Sequence, residues 1–162
     1  MMEKNMNSYM KPLFLLLAVT GLQAETKNKS DNAVGGQLPE DIRSLLIEEM
    51  QAITDGMSNI LRGVVTADHE LVATQAQGIH DSFIMAQKIT DEQRQVLKNT
   101  LPPAFVEKDK AFHQLSAQLA EAARALDSEQ QLQLYQSMQA ACVACHQQHA
   151  TDRFPDFSEK TR

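Results

Sequence analysis

Cys142-Val143-Ala144-Cys145-His146 is the run in this chain whose residue types and spacing specify a chemistry by themselves, and it holds both cysteines of the sequence. Two thiols three residues apart on a helix lie along one edge, so both can reach the vinyl groups of a single porphyrin. The histidine that follows is close enough to put an imidazole nitrogen on the iron. The spacing therefore predicts one covalently attached haem c on a helix.

Two other uses of such a run fail on physical grounds. A zinc site would need Cys142, Cys145, His146 and His149 to converge, yet residues 142 and 149 of one straight helix are separated by about 10 Å of rise. Zinc holds its ligands at about 2.0–2.3 Å in a tetrahedron, and the second ligand pair normally arrives after a loop. A thiol–disulfide oxidoreductase places its CxxC at a helix N-terminus beside a sheet, where the helix dipole lowers the first thiol's pKa. Here the pair lies about four turns into a helix, with no strand pattern nearby.

The elements that must position this run read as helices throughout. Tryptophan is absent, and Gln, Ala, Leu, Glu and Met dominate, a helix-forming composition. Leu46, Met50, Ile53, Met57, Ile60 and Val64 follow at steps of four and three, after a Pro39 suited to a first turn. Val72, Ala76, Ile79 and Phe83 repeat that spacing, with Thr66 or Asp68 as caps. Thr90-Asp91-Glu92-Gln93 is a capping box opening a short helix that ends before Pro102-Pro103. Phe105, Phe112, Ser116, Leu119, Ala123 and Leu126 mark a third long stripe, and Ser128-Glu129-Gln130-Gln131 a second capping box. The last stripe, Tyr135, Met138, Cys142, Cys145 and His149, places the thiols on the side that faces the core. No segment alternates with period two. The expected fold is all-α: an antiparallel up-down-up-down four-helix bundle with haem attached to the C-terminal helix, spanning residues 38–150.

The flanks read differently. Residues 1–24 carry Lys4 and Lys11 before an apolar run from Leu13 to Val19 and a small-residue stretch ending at Ala24, the layout of a secretory signal peptide. That run is too short to span a bilayer, which takes about 20 apolar residues. Export to the periplasm, with no stable membrane insertion after cleavage, is the expectation. Residues 25–37 are polar and read as a flexible leader, and 151–162 as an irregular tail folding back over the bundle end. Loss of Lys4, Lys11 and Glu3 with the signal takes the formal charge from −6 to −7. An acidic chain without a basic block has little to offer nucleic acid. In an oxidising compartment the thioether links also keep the two thiols from becoming a disulfide. No Ser/His/Asp set, paired carboxylates or glycine-rich phosphate loop points to an enzyme.

A bundle with CxxCH near the end of its last helix resembles the cytochrome c-prime family over nearly all of residues 39–149, most visibly in PPAFVEKDKAFHQLSAQLAEAA and YQSMQAACVACH. The resemblance implies that Cys142 and Cys145 form the thioethers and that His146 is the proximal axial ligand. In that family a residue of the first helix faces the iron from the other side, a methionine in low-spin members and a bulky non-ligand in gas-binding ones. Similarity of Gly56-Met57-Ser58-Asn59-Ile60 to the family's first helix puts Met50 at that position. Met50 shares the stripe of Leu46 and Ile53, and its soft sulfur suits haem iron. Met57 and Met138 read as core filler.

A basic residue commonly follows the family's histidine by one turn; here that turn holds His149 and Ala150, which leaves the haem propionates without an evident partner among Arg43, Arg62 and Arg153. His69, His80 and His113 read as surface or helix-side residues. The resulting expectation is a periplasmic one-electron carrier with His/Met axial ligation and transient redox proteins as partners. The alternative is a five-coordinate haem protein that binds NO or CO. A homodimer through the first two helices is allowed by the resemblance.

Overall fold

A computed structural model describes residues 33–157, and the expected signal peptide, residues 25–32 and the last five residues of the tail lie outside them. Among the described residues all regular structure is helical: α1 (Glu40–Thr66), α2 (His69–Asp81), α3 (Met85–Lys88), α4 (Asp91–Thr100), α5 (Pro103–Arg124) and α6 (Ser128–His149), with single 3-10 turns at Gly35–Gln37 and Pro155–Phe157. No helix among them is long and apolar enough to cross a membrane.

Local chemistry sets the helix ends. Asp68 caps α2 by accepting from the Leu71 N–H at 3.0 Å, as its position before the helix predicts. Thr90 and Gln93 form the expected capping box, each side chain bonded to the other's backbone N–H. The second box is displaced. Asp127, not Ser128, is the cap of α6, accepting from the Gln130 N–H at 3.0 Å, because a carboxylate one residue earlier reaches the first turn. Pro102 and Pro103 separate α4 from α5, Pro103 taking the first-turn position where its missing N–H costs nothing.

The long helices pack α2 against α1 and α5, α5 against α6, and α1 against α6. Ile53, Met57, Ile60, Val72, Ala76, Ile79, Leu119, Ala120, Ala123, Tyr135 and Met138 form the main buried cluster. About half of the stripe residues read from the sequence are in it, and Leu126 and Phe83 are among those outside. Leu126 is 66 % exposed because the chain turns there with φ 58° to start α6. Phe83 lies beyond the end of α2, past a Ser82 at φ 60°, yet its ring reaches back to within van der Waals contact of the space above Gly56. The buried polar side chains there are partnered. Ser116 Oγ donates to the Ala76 carbonyl at 2.6 Å, and the Gln131 amide meets His69 Nδ1 at 3.0 Å.

A second cluster corrects the expected leader. Residues 33–37 do not hang free: Val34 is 2 % exposed, packs with Leu38 and Ile42, and donates its N–H to the His149 carbonyl at 2.9 Å. Leu46, Val96, Leu97, Leu101 and Phe105 close this cluster. Val34 and Leu38 are apolar residues in a polar stretch, and burying them at the end of α6 outweighs the entropy of keeping the segment loose.

Candidate haem-binding site

The run from Cys142 to His146 occupies the last two turns of α6, which continues through His149. Cys142, Cys145 and His146 are half-buried, whereas Val143 and Ala144 face solvent. Both sulfurs are free thiols. Burial pushes both thiols above their ordinary pKa. For Cys142 the neighbouring Cys145 adds to that, and for Cys145 the charge of Lys108 on α5 opposes it while that of Asp109 reinforces it. An activated CxxC needs the opposite shift. Burial also holds the His146 imidazole below its usual range, which favours the neutral form that ligates metals.

The tail folds onto this run. The Phe154 ring lies 5.1 Å from that of His146, tilted by 34°, and Phe157 meets Phe154 edge-on at 6.4 Å. The expected irregular tail thus covers one side of the histidine. On the other flank Phe105 of α5 packs edge-on against His149, ring centres 5.5 Å apart.

Met50 is also half-buried, packs on the edge of the main cluster, and lines a cavity of about 260 Å³. Phe105, Asp109 and His113 form its α5 wall; α3, α4 and the linker between them contribute Met85, Ala86, Ile89, Arg94 and Leu97. The same α5 residues adjoin α6: Phe105 touches His149, and the charge of Asp109 acts on Cys145. Met50 and the CxxCH run therefore both adjoin the same short stretch of α5, although no residue of α6 lines the cavity.

Beside Met50, Glu49 is only 3 % exposed and its carboxylate accepts three backbone N–H bonds, from Phe83 at 3.1 Å, Ile84 at 2.6 Å and Met85 at 2.8 Å. It ties the start of α3 to α1, and Lys88 with Glu48 at 2.8 Å and Gln93 with Asp41 at 2.6 Å continue that seam. Neither α3 nor α4 has a buried residue. This wall is attached through these polar contacts and through Val96 and Leu97, half-buried against Val34, Leu38 and Ile42.

Sequence reasoning missed Glu49, Arg94, Asp109 and His113 as cavity residues. Glu49 immediately precedes a stripe position, and its burial became visible only once α3 supplied donors. His113 was expected on a helix side; it lines the cavity, with Nε2 3.6 Å from Asp109. His80 has its Nδ1 donating to the His113 carbonyl at 3.0 Å. Arg43, Arg62 and Arg153 do not line the cavity, and Arg153 lies over the Phe154 ring at 6.0 Å.

The donor set matches a haem in residue type, two protonated thiols and a neutral imidazole on α6 and a thioether on α1, but only the thioether lines the cavity. The space is tight, since pockets that enclose a sizeable ligand run from about 300 Å³ upward. A porphyrin bonded to α6 would need further room from side chains around the cavity. Among the described residues no three His, Cys, Asp or Glu side chains are placed to share a metal ion. Comparison of the chain with family models, curated proteins and solved structures finds no match.

Proposed function

We propose that this protein is an exported c-type cytochrome of the periplasm that carries single electrons, built as an antiparallel four-helix bundle similar to cytochrome c-prime. The observation that carries the reading is the half-buried CxxCH run on the last long helix, beside a stretch of α5 that also lines a cavity with Met50. A bound haem c supplies ferric/ferrous one-electron chemistry. Cys142 and Cys145 hold it by thioether bonds, which suits thiols that burial keeps protonated and unactivated. His146 presents a neutral imidazole as the proximal ligand, its ring flanked by Phe154. Met50 presents its sulfur as the distal ligand.

Two ligands that stay in place in both oxidation states keep reorganisation small, and His/Met ligation raises the potential. The acidic surface suits transient redox partners that carry a basic docking patch. The packing of consecutive long helices, with His69 on α2 meeting Gln131 on α6, supports the antiparallel arrangement.

A second reading has one specific support, the open space beside Met50: five-coordinate iron with Met50 as a wall of a pocket for NO or CO. The optical spectrum of protein expressed with haem-maturation machinery separates the two. A low-spin spectrum with a methionine–iron charge-transfer band, lost in Met50→Ala, is the expected result. A high-spin wild type with fast CO uptake would move the protein to the second reading. A polypeptide mass without haem would remove both.

A further inference from the structure

One part of the cavity wall is held differently from the rest. Residues 84–89, which contain α3, run between two fixed points. On the N-terminal side the Phe83 ring packs against the main buried cluster, above Gly56 and Gly78. On the C-terminal side Thr90 is closed into its box with Gln93. The helix that follows is held by Gln93 on Asp41 and by Val96 and Leu97 against the Ile42 cluster. Between these points no side chain is buried, although Met85, Ala86 and Ile89 line the cavity.

The firmest tie of this stretch is Glu49. Its carboxylate, 3 % exposed, accepts from the Ile84 N–H at 2.6 Å and the Met85 N–H at 2.8 Å, and from Phe83 at the fixed end at 3.1 Å. The second tie, Lys88 to Glu48 at 2.8 Å, joins two half-exposed side chains and contributes little. The backbone bonds of Gln87, Lys88 and Ile89 run to the Ile84 and Met85 carbonyls, so they travel with the stretch. Ala86 reaches only the Ser82 hydroxyl, at 3.2 Å. Lifting residues 84–89 thus exchanges bonds to one carboxylate for bonds to water and uncovers little apolar surface. That costs far less than separating the long helices.

We propose that residues 84–89 form a strap that opens over the cavity while the long helices stay packed, and that Glu49 is the latch that holds it shut. Opening gives a small molecule a way into the cavity that Met50 lines. The device belongs to α1 and α3 and does not rest on haem being attached to α6.

The test is amide hydrogen exchange, followed by NMR on the purified full chain across low denaturant concentrations, with intact mass recording whether haem is attached. The Ile84, Met85, Lys88 and Ile89 amides are expected to exchange together, faster than those of Ala76, Leu119 and Met138 and with little dependence on denaturant, the mark of a local opening. Glu49→Gln keeps the shape of the side chain but removes its charge and one acceptor oxygen. It should speed the strap amides by about tenfold or more and leave those of Val96 and Leu97 at wild-type rates. Peroxide oxidation of Met85, read by peptide mass mapping, should rise with it while Met57 and Met138 stay protected. If Glu49→Gln does not fold, Glu49→Asp, whose shorter carboxylate withdraws from the three donors, replaces it. Strap amides that exchange with the long helices would overturn the proposal, as would variant strap amides or Met85 oxidation at wild-type rates. Such a failure leaves the cytochrome reading standing, and a mass without haem would remove that reading while leaving the strap.

Discussion

Two regions of this molecule are built on opposite principles. Around Gly63, Val72, Ala76, Leu119 and Ala123 the helices approach closely. Val72, Ala76 and Leu119 have no exposed surface, and the buried polar groups nearby are satisfied within the protein. Around Met50 and Asp109 there is instead a cavity bordered by two carboxylates, an arginine and a histidine, with the free thiols of α6 half-buried beyond it. The first region has small residues where two backbones must meet, and the second has large flexible or ionisable ones. Close packing commits its sequence to stability; under the proposed function, the open region commits its own to ligands.

The contrast can be broken at either side. The largest effect belongs to the open region: replacing Cys142 and Cys145 together by serine should abolish covalent haem entirely, read as a polypeptide mass with no added porphyrin, while circular dichroism stays helical. Loss of helical structure in that variant would mean that the thiols are structural and the division false.

In the packed region Leu119→Ala should cost about 2–5 kcal/mol in denaturant unfolding, since the cavity left by a fully buried leucine is only partly refilled. The folded fraction should still load haem. Gly63→Ala sharpens the same point from the other direction. A Cβ at residue 63 would fall 2.6 Å from Val72 Cγ2 and 3.0 Å from the Asp68 carbonyl. Overpacking of that kind costs about 1–3 kcal/mol, again without a spectral change at the haem.

The smallest effect is electrostatic and lies in the open region. The Asp109 carboxylate, as acceptor for the His113 Nε2–H, raises the imidazole above its ordinary pKa, against the opposing effect of burial. A raised folded pKa gives stability that is fully present below the unfolded value of about 6.5. That stability is lost as pH rises through the folded value. Asp109→Asn should therefore lower stability on the acid side and leave it nearly unchanged in mild alkali, as followed by thermal unfolding against pH. An equal loss at all pH values would point to packing instead of charge.

Much of the helical plan was legible because it depends on local rules. The four-and-three spacing of Ile53, Met57 and Ile60 marks a buried face wherever that helix packs, and Thr90 with Gln93 closes a helix end using its own side chains. One departure was local and one came from a distant group. Asp127 took the capping place read for Ser128, a slip of one residue within local rules. Val34 was read as part of a loose leader because its partners, Leu38, Ile42 and the His149 carbonyl, include one more than a hundred residues away.

By itself the sequence determined the helices, their apolar faces and the spacing of two thiols and an imidazole on one edge, because each of these is a relation among residues within a few turns. Only the tertiary structure decided which polar residues meet across helices. Glu49 became the anchor of residues 83–85, Arg94 and His113 came to border the cavity with Met50, and Phe154 came to lie on His146. Those placements depend on how far each linker turns the chain, and the left-handed residues Ala67, Ser82 and Leu126 set those turns. A period of residues along one helix carries no record of that geometry.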